Sequence, residues 1–229
     1  MDIEYPWVAY ARKSDVNYHT AVNDQTLLVD YTVRRHLTGG PKAHPYTGAY
    51  GSVRVVTNVF GYKKILNKTR TIIESITSEI PDFEMITESL WIDIGLEFKN
   101  GLAEISLDYR GGLHACNHLL VNVLGFYLLC DRGDVQPVCY SEQETKNRPL
   151  CINIYDSVEG GTGISEAAYH KIEPIMQKAY ELIKGCDCEE ANGCPACTHD
   201  PSCGEYNNCL DKKAALWILE RLVARTPTS

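Results

Sequence analysis

The pattern of apolar and polar positions changes along the chain. In residues 27–33 and 53–59, β-branched and aromatic residues crowd together, which predicts two strands. Between them, residues 38–51 hold four glycines and two prolines, a turn-rich stretch. Short strands separated by such turns predict a small barrel-like or rolled sheet. Residues 69–79 are expected as a short helix that ends before Pro81.

Further along, a strand is expected over residues 88–96, around Trp91, and a shorter one over 103–107. Residues 113–130 are long enough for a helix and apolar nearly all round, so that helix should be central. His114, Asn117, His118 and Asn122 interrupt it, whereas a membrane span needs about 20 apolar residues with few polar ones. Residues 150–155 read as a strand and 156–163 as a glycine-rich turn. Ile172, Ile175, Met176, Ala179 and Ile183 then recur at helical spacing within 164–184, where Pro174 should kink or split the helix. Asp211 is placed to cap a last helix over 212–224, with Ala215, Ile218, Leu219 and Leu222 on one face.

Composition adds little to this picture. Hydrophobic residues make up 44% and charged residues 23% of 229, an ordinary globular balance with room for one large or two small domains. Charge changes it more. Residues 1–70 hold ten Lys/Arg against five Asp/Glu, and residues 71–229 hold twelve against twenty-five. Phosphate binding needs positive charge, so any nucleic-acid contact is expected in the first third. Residues 1–10 lack a basic segment followed by an apolar run, so no signal peptide is expected. A cytoplasmic location is expected, or a nuclear one in a eukaryote, with no membrane partner.

Five of the ten cysteines crowd into one segment: Cys186, Cys188, Cys194, Cys197 and Cys203. Cys116, Cys130, Cys139, Cys151 and Cys209 are scattered. One cluster plus scattered thiols fits a metal site in a reducing compartment better than a disulfide scaffold. Zinc favours four tetrahedral ligands, and thiolate is its structural ligand of choice. A Cys-x-x-Cys turn at 194–197 brings two sulfurs to one ion. Four thiolates leave no open position, which predicts a structural zinc. Five cysteines compete for four places. The evenness of spacing favours Cys188, Cys194, Cys197 and Cys203, with Cys186 as a replacement for Cys203 and His199 as a weaker substitute. An iron–sulfur cluster also uses four cysteines. The whole is expected as an α+β chain: a small β-rich, barrel-like N-terminal module over 1–95, then a mixed α/β zinc-binding domain over 96–229.

Three other constellations carry chemistry. His114 and His118 are four apart on one helix face, a spacing found in metal sites, with Asp108 and Asp131 near in sequence. A hydrogen-bonding stripe of His114, Asn117, His118 and Asn122 facing a groove is the plainer reading. The turn from Asp156 to Gly163 joins a strand to a helix. It is either a structural turn or a phosphate contact through Gly161 and the helix N-terminus. Arg34, Arg35, Lys42, Lys63, Lys64, Lys68 and Arg70, interleaved with Tyr46, Tyr50, Phe60 and Tyr62, could track a nucleic-acid backbone and stack bases, or could be solvated surface. Arg34, Arg35, Lys63, Lys64, Gly161 and His114 are the candidate nucleic-acid contacts. The sequence holds no Gly-Lys-Ser/Thr phosphate loop and no Gly-x-Ser-x-Gly elbow.

The run from Tyr155 to Glu166, then Cys186-Asp-Cys188, Gly193-Cys-Pro-Ala-Cys197, Pro201-Ser-Cys-Gly204 and Leu210-Asp-Lys212, resembles the zinc-binding domain of MrfA-type DEAD/DEAH-box DNA helicases and their yeast RecQ-related cousins. The segment from Gly112 to His118, with Cys130, Asp131, Arg132 and Asp134, is similar too, as is Gly61-Tyr-Lys-Lys64 with Leu90-Trp91. The resemblance spans nearly the whole chain. It implies ATP-dependent 3′–5′ translocation on single-stranded DNA, a role in DNA repair, and two RecA-like motor domains supplied in cis or in trans. It also implies a four-cysteine zinc site on Cys188, Cys194, Cys197 and either Cys203 or Cys186. Two positions depart from the family: Glu159 stands where a proline opens the glycine turn, and Asn117 where a Glu lies between the histidines. Both weaken any claim of chemistry there.

The expected function is a zinc-binding accessory module of a DNA helicase system, non-catalytic alone, that binds single-stranded DNA or couples to a motor. The alternatives are a metal-dependent nuclease built on His114, His118, Asp108 or Asp131, and a protein-interaction scaffold without nucleic-acid binding.

Overall fold

Residues 2–4, 8–10, 12–37, 46–78, 80–137 and 151–223 are described in the computed structural model. Lys42, Cys139, the turn at 38–45, the ring of Tyr46, and the ends of two expected elements at Leu150 and Ala224 lie outside them.

The β-rich first third forms longer strands than the sequence suggests. β1 (Asp2–Glu4) and β2 (Val8–Tyr10) pair antiparallel. β3 (Tyr18–His36) and β4 (Tyr46–Leu66) extend well beyond the predicted 27–33 and 53–59. β5 (Ile72–Thr77) replaces the short helix expected at 69–79 and pairs antiparallel with β4, from Gly61↔Thr77 to Ile65↔Ile72. Ile72, Ile73 and Ile76 are branched at Cβ. That stiffens χ1 against the helix, while β4 offers the cross-strand partners that such residues favour.

β6 (Phe83–Ile94) carries the expected strand around Trp91. The strand expected at 103–107 is instead the end of α1 (Leu96–Glu104) and the turn after it. Phe98 and Leu102, four apart, are the buried residues of that helix, a spacing that a helix satisfies and a strand does not. α2 (Tyr109–Leu124) begins where the Asp108 carboxylate accepts the N–H groups of Arg110 and Gly111. Of its residues only Arg110 and Asn122 keep partial exposure, as expected for a central helix. β7 (Val135–Pro137) and β8 (Cys151–Asp156) follow.

The predicted long helix is two. α3 (Ile164–His170) and α4 (Ile172–Lys184) part at Lys171, not at Pro174. Pro174 is the third residue of α4, where a missing N–H costs nothing, because the first turn has no intrahelical acceptors to fill. α5 (Lys212–Val223) starts on Asp211, whose Oδ1 accepts the Ala214 N–H at 2.9 Å.

The strand order is β3-β4-β6-β8-β7, with β5 beside β4. Among the described residues the sheet is open and no barrel closes, so the barrel-like expectation is corrected. β3 and β4 are 19 and 21 residues long, in place of the short, turn-broken strands that a small barrel would use.

The chain divides into two compact units. One comprises residues 1–25 and 57–83 and holds β1, β2, β5 and the adjoining parts of β3 and β4. The other comprises 26–56 and 84–229 and holds the rest of those strands with α1–α5. In the latter, alternate residues of β6 and β8 serve two apolar clusters. Leu90, Ile92, Ile94, Ile152 and Ile154 pack with α1–α5, while Trp91 and Tyr155 pack with Leu28, Ala49, Val53 and Val55. No helix among the described residues is long and apolar enough to cross a membrane.

Candidate metal centre

α4 ends at Gly185, and the next residue begins the cysteine segment. The Cys194–Cys197 turn is closed by the Cys197 N–H on the Cys194 carbonyl at 3.0 Å. Gly193, at φ +79°, makes the entry possible, because a Cβ there would meet Thr198 Oγ1 at 2.0 Å. Thr198 in turn donates to the Asn192 carbonyl at 2.7 Å.

This backbone brings four sulfurs together, those of Cys186, Cys188, Cys194 and Cys197, all within 4.8 Å of one another. Cys186 Sγ lies 3.6 Å from Cys194 Sγ, Cys188 Sγ 3.8 Å from Cys197 Sγ, and Cys194 Sγ 3.8 Å from Cys197 Sγ. A disulfide needs about 2.0 Å, so these are not bonded pairs. A tetrahedral zinc with bonds of about 2.3 Å would set its sulfurs about 3.8 Å apart. The spacing fits that ion, and the donor set suits it.

The electrostatics agree. The Ala196 N–H draws the Cys194 thiol down, but burial and the sulfurs of Cys186, Cys188 and Cys197 push it up to about 11. Four adjacent thiolates repel one another unless a cation sits among them. Around them, donors point at sulfur: the Cys194 N–H at Cys197 Sγ (3.2 Å) and Lys212 Nζ at Cys188 Sγ (3.1 Å). Lys212 also holds the carbonyls of Cys186 (2.8 Å) and Cys188 (2.7 Å), which ties the start of α5 to the segment. Burial works against the Lys212 ammonium, yet Cys188 and its neighbours raise its pKa.

Even spacing does not select the quartet. Cys186 belongs to it. Cys203 stands apart, with its sulfur 3.6 Å from His114 Nε2. His199 joins neither group. The polar stripe on α2 faces the cysteine segment and the sheet. His118 Nδ1 meets the Thr198 carbonyl at 2.8 Å, and Asn122 donates to the carbonyls of Cys197 (2.8 Å) and His199 (3.3 Å). Asn117 accepts the Asn153 N–H of β8 at 2.9 Å. His114 is buried against Cys203 and Glu205, with Glu205 Oε2 3.2 Å from its Nδ1. It presents no open ring to a nucleic acid. Glu205 and Arg110, which pair with each other, were invisible in the sequence, since nothing in their spacing marks them.

The carboxylates invoked for a nuclease are employed elsewhere. Asp108 caps α2, and Asp131 shares a reciprocal cap with Asp134. Neither joins His114 and His118 in a metal-ligating group.

The glycine turn is organised by Asp156. Its buried carboxylate accepts the N–H groups of Thr162 (2.7 Å), Gly163 (2.8 Å) and Ser165 (2.9 Å) and the Ser165 hydroxyl (2.6 Å). An internal anion therefore already holds the N-terminus of α3. Gly161, at φ +82°, packs against Glu88, where a Cβ would approach Cγ to 2.6 Å.

Three of the candidate DNA-binding cations are paired, while Lys68 and Arg70 are exposed. Arg34 binds Glu88, Arg35 binds Glu166 at 2.7 Å, and Lys64 binds Glu74 at 2.6 Å. Arg54, which is not among those candidates, spans Asp30 (2.6 Å) and Glu84 (3.0 Å). Lys63 is half-buried on β4.

Residues 116–198 match the model of the MrfA Zn-binding domain. An uncharacterized protein of Methanocaldococcus jannaschii is 35% identical over 117 residues, which are 49% of this chain and 100% of that protein. The ATP-dependent helicase hrq1 of Schizosaccharomyces pombe is 28% identical over 94% of this chain, and the uncharacterized ATP-dependent helicase YprA of Bacillus subtilis is 31% identical over 82%. The chain spans 21% of the first helicase and 24% of the second. A crystal structure of the helicase MrfA bound to DNA has the same fold, with a TM-score of 0.58 at 24% identity, over 92% of this chain and 26% of that one. The chain belongs to the family that carries the MrfA Zn-binding domain.

Proposed function

We propose that this chain is the zinc-stabilised accessory module of a DNA helicase system, coupling an ATPase motor, in cis or in trans, to single-stranded DNA. The observation that carries this reading is the extent of the match: 94% of the chain aligns with about a fifth of an ATP-dependent helicase. The fold likeness to DNA-bound MrfA over 92% of the chain supports it. The metal plays a structural part: four thiolates close its coordination, and the ion fixes the segment between α4 and α5.

The charge pattern assigns the DNA contact a secondary weight. Arg34, Arg35, Arg54 and Lys64 are partly neutralised within the fold, and the net charge is -8. Binding by the chain alone should therefore be weak, in the non-specific range of about 10⁻⁴–10⁻⁶ M, and fall steeply with salt. The test is fluorescence anisotropy with labelled oligothymidylate at rising salt, on a sample of known metal content. A parallel assay asks whether the chain forms a complex with the ATPase domains of a YprA-type helicase. A folded, metal-loaded sample that does neither would sink the proposal.

A further inference from the structure

Outside the cysteine quartet, three further ligand-type side chains converge. His114 and His118 of α2 and Cys203 of the loop between α4 and α5 each place a ligand atom within 4.8 Å of the others. Both histidines are buried, 4% and 1% exposed, with rings 4.5 Å apart, edge to face. We propose that these three residues form a second zinc site, distinct from the cysteine quartet.

One hydrogen bond sets the tautomer of His118 that such a site needs. A carbonyl oxygen only accepts, so His118 Nδ1, 2.8 Å from the Thr198 carbonyl, carries the proton. The lone pair of His118 is then on Nε2. His114 places Nδ1 3.2 Å from the Glu205 carboxylate and Nε2 3.6 Å from Cys203 Sγ. Metal-bound histidines usually anchor the distal ring nitrogen on a carbonyl or carboxylate; His118 does so on the Thr198 carbonyl, and His114 Nδ1 lies within ion-pair distance of the Glu205 carboxylate. Arg110 completes the outer layer by binding Glu205.

The distances fit the ion. Bonds of about 2.3 Å to sulfur and about 2.0 Å to nitrogen put those two atoms about 3.5 Å apart on a tetrahedron. Cys203 Sγ also receives the Asn207 N–H at 3.4 Å, the same kind of N–H to sulfur contact that Cys194 makes to Cys197 in the quartet. A cation takes a lone pair from each of the three groups. Two imidazoles and one thiolate suit zinc.

The two sites differ in kind. The quartet is closed, whereas three protein ligands leave one position to water. The second ion would staple the loop before α5 onto α2. Two of its ligands, His114 and Cys203, lie outside the segment that matches the family model.

The test is metal analysis of the full chain by plasma mass spectrometry after exhaustive dialysis. Two zinc ions per chain are expected. Cys203→Ser and His118→Ala should each retain one, and Cys194→Ser should lose the quartet ion. One zinc in the wild type, lost only in Cys194→Ser, overturns the proposal, as does retention of two in Cys203→Ser. Cobalt substitution of the wild type needs no folded variant. Five thiolates then contribute to the sulfur-to-cobalt absorption, against four for the quartet alone, and Cys203→Ser should remove about a fifth of it. An intensity that accounts for four thiolates only, unchanged in Cys203→Ser, refutes the second site.

Discussion

At the scale of single residues, Asp156 does more than the glycines around it. Its buried carboxylate accepts hydrogen bonds from four residues of the turn and α3, Thr162 to Ser165. Asp156→Asn replaces one acceptor oxygen with an amide that faces donors, so urea unfolding should show a loss of about 3 kcal/mol. A change under about 0.5 kcal/mol, ordinary for a surface site, would mean that the turn does not depend on that anion. Gly193→Ala should cost about 1–3 kcal/mol in backbone strain alone, read as a lower melting temperature and faster loss of metal to a chelator. Tyr50 tests the electrostatics of the arginine cluster. Burial and then Glu88 push its phenol up to about 12, from an ordinary 10. A raised pKa contributes stability that is whole below pH 10 and lost as pH rises through about 12. The phenolate absorbance that Tyr50→Phe removes should therefore appear near pH 12, and its appearance near pH 10 would contradict the burial. These sites were unequally legible. The cysteines announced themselves by type and crowding. Glu205, Arg110 and the carboxylate role of Asp156 depend on contacts across 95, 95 and 6–9 positions of chain, for which a linear sequence holds no signal.

Between residue and fold, the elements show why some patterns read correctly. α2, α4 and α5 have strong apolar faces and explicit ends: Asp108, Gly185 and Asp211. β5 misled because an Ile/Thr-rich run of six fits either period, and only pairing with β4 decides it. α1 was missed because Phe98 and Leu102 are the only buried side chains that mark its face. Pro174 was read as a helix breaker, yet it sits in the first turn of α4, so Pro174→Ala should change stability by less than about 0.5 kcal/mol. A large loss would show that Pro174, and not Lys171, sets the break. Asp211 does two things: it caps α5 through Ala214 and accepts the Asp108 N–H at 3.0 Å, which ties together the starts of α2 and α5. Asp211→Ala should therefore cost about 1–2 kcal/mol, at the upper end for a lost N-cap, by thermal or urea unfolding.

Over the whole molecule, folding neutralises part of the charge split seen in sequence. The excess of cations in residues 1–70 suggested a basic track, but folding brings in acids from further along: Glu74, Glu84, Glu88 and Glu166. Linear charge counting cannot anticipate this, because the partners lie 10, 30, 54 and 131 positions away. The pairs are partly exposed, so each contributes little to stability; their larger effect is on what the arginines can bind. If the chain contacts single-stranded DNA through Arg34 and Arg35, then Glu88 and Glu166 compete with phosphate for the same guanidinium groups. Glu88→Gln with Glu166→Gln leaves the shapes intact and removes the competitors. The double variant should bind oligothymidylate more tightly than the wild type, with a steeper dependence of affinity on salt, by roughly 0.7 per phosphate gained on a single strand. Lys63→Ala with Lys64→Ala should act in the opposite sense. If the double glutamine variant binds no better at low salt, Arg34 and Arg35 are not DNA contacts, and the module's part in a helicase system would rest on docking to the motor.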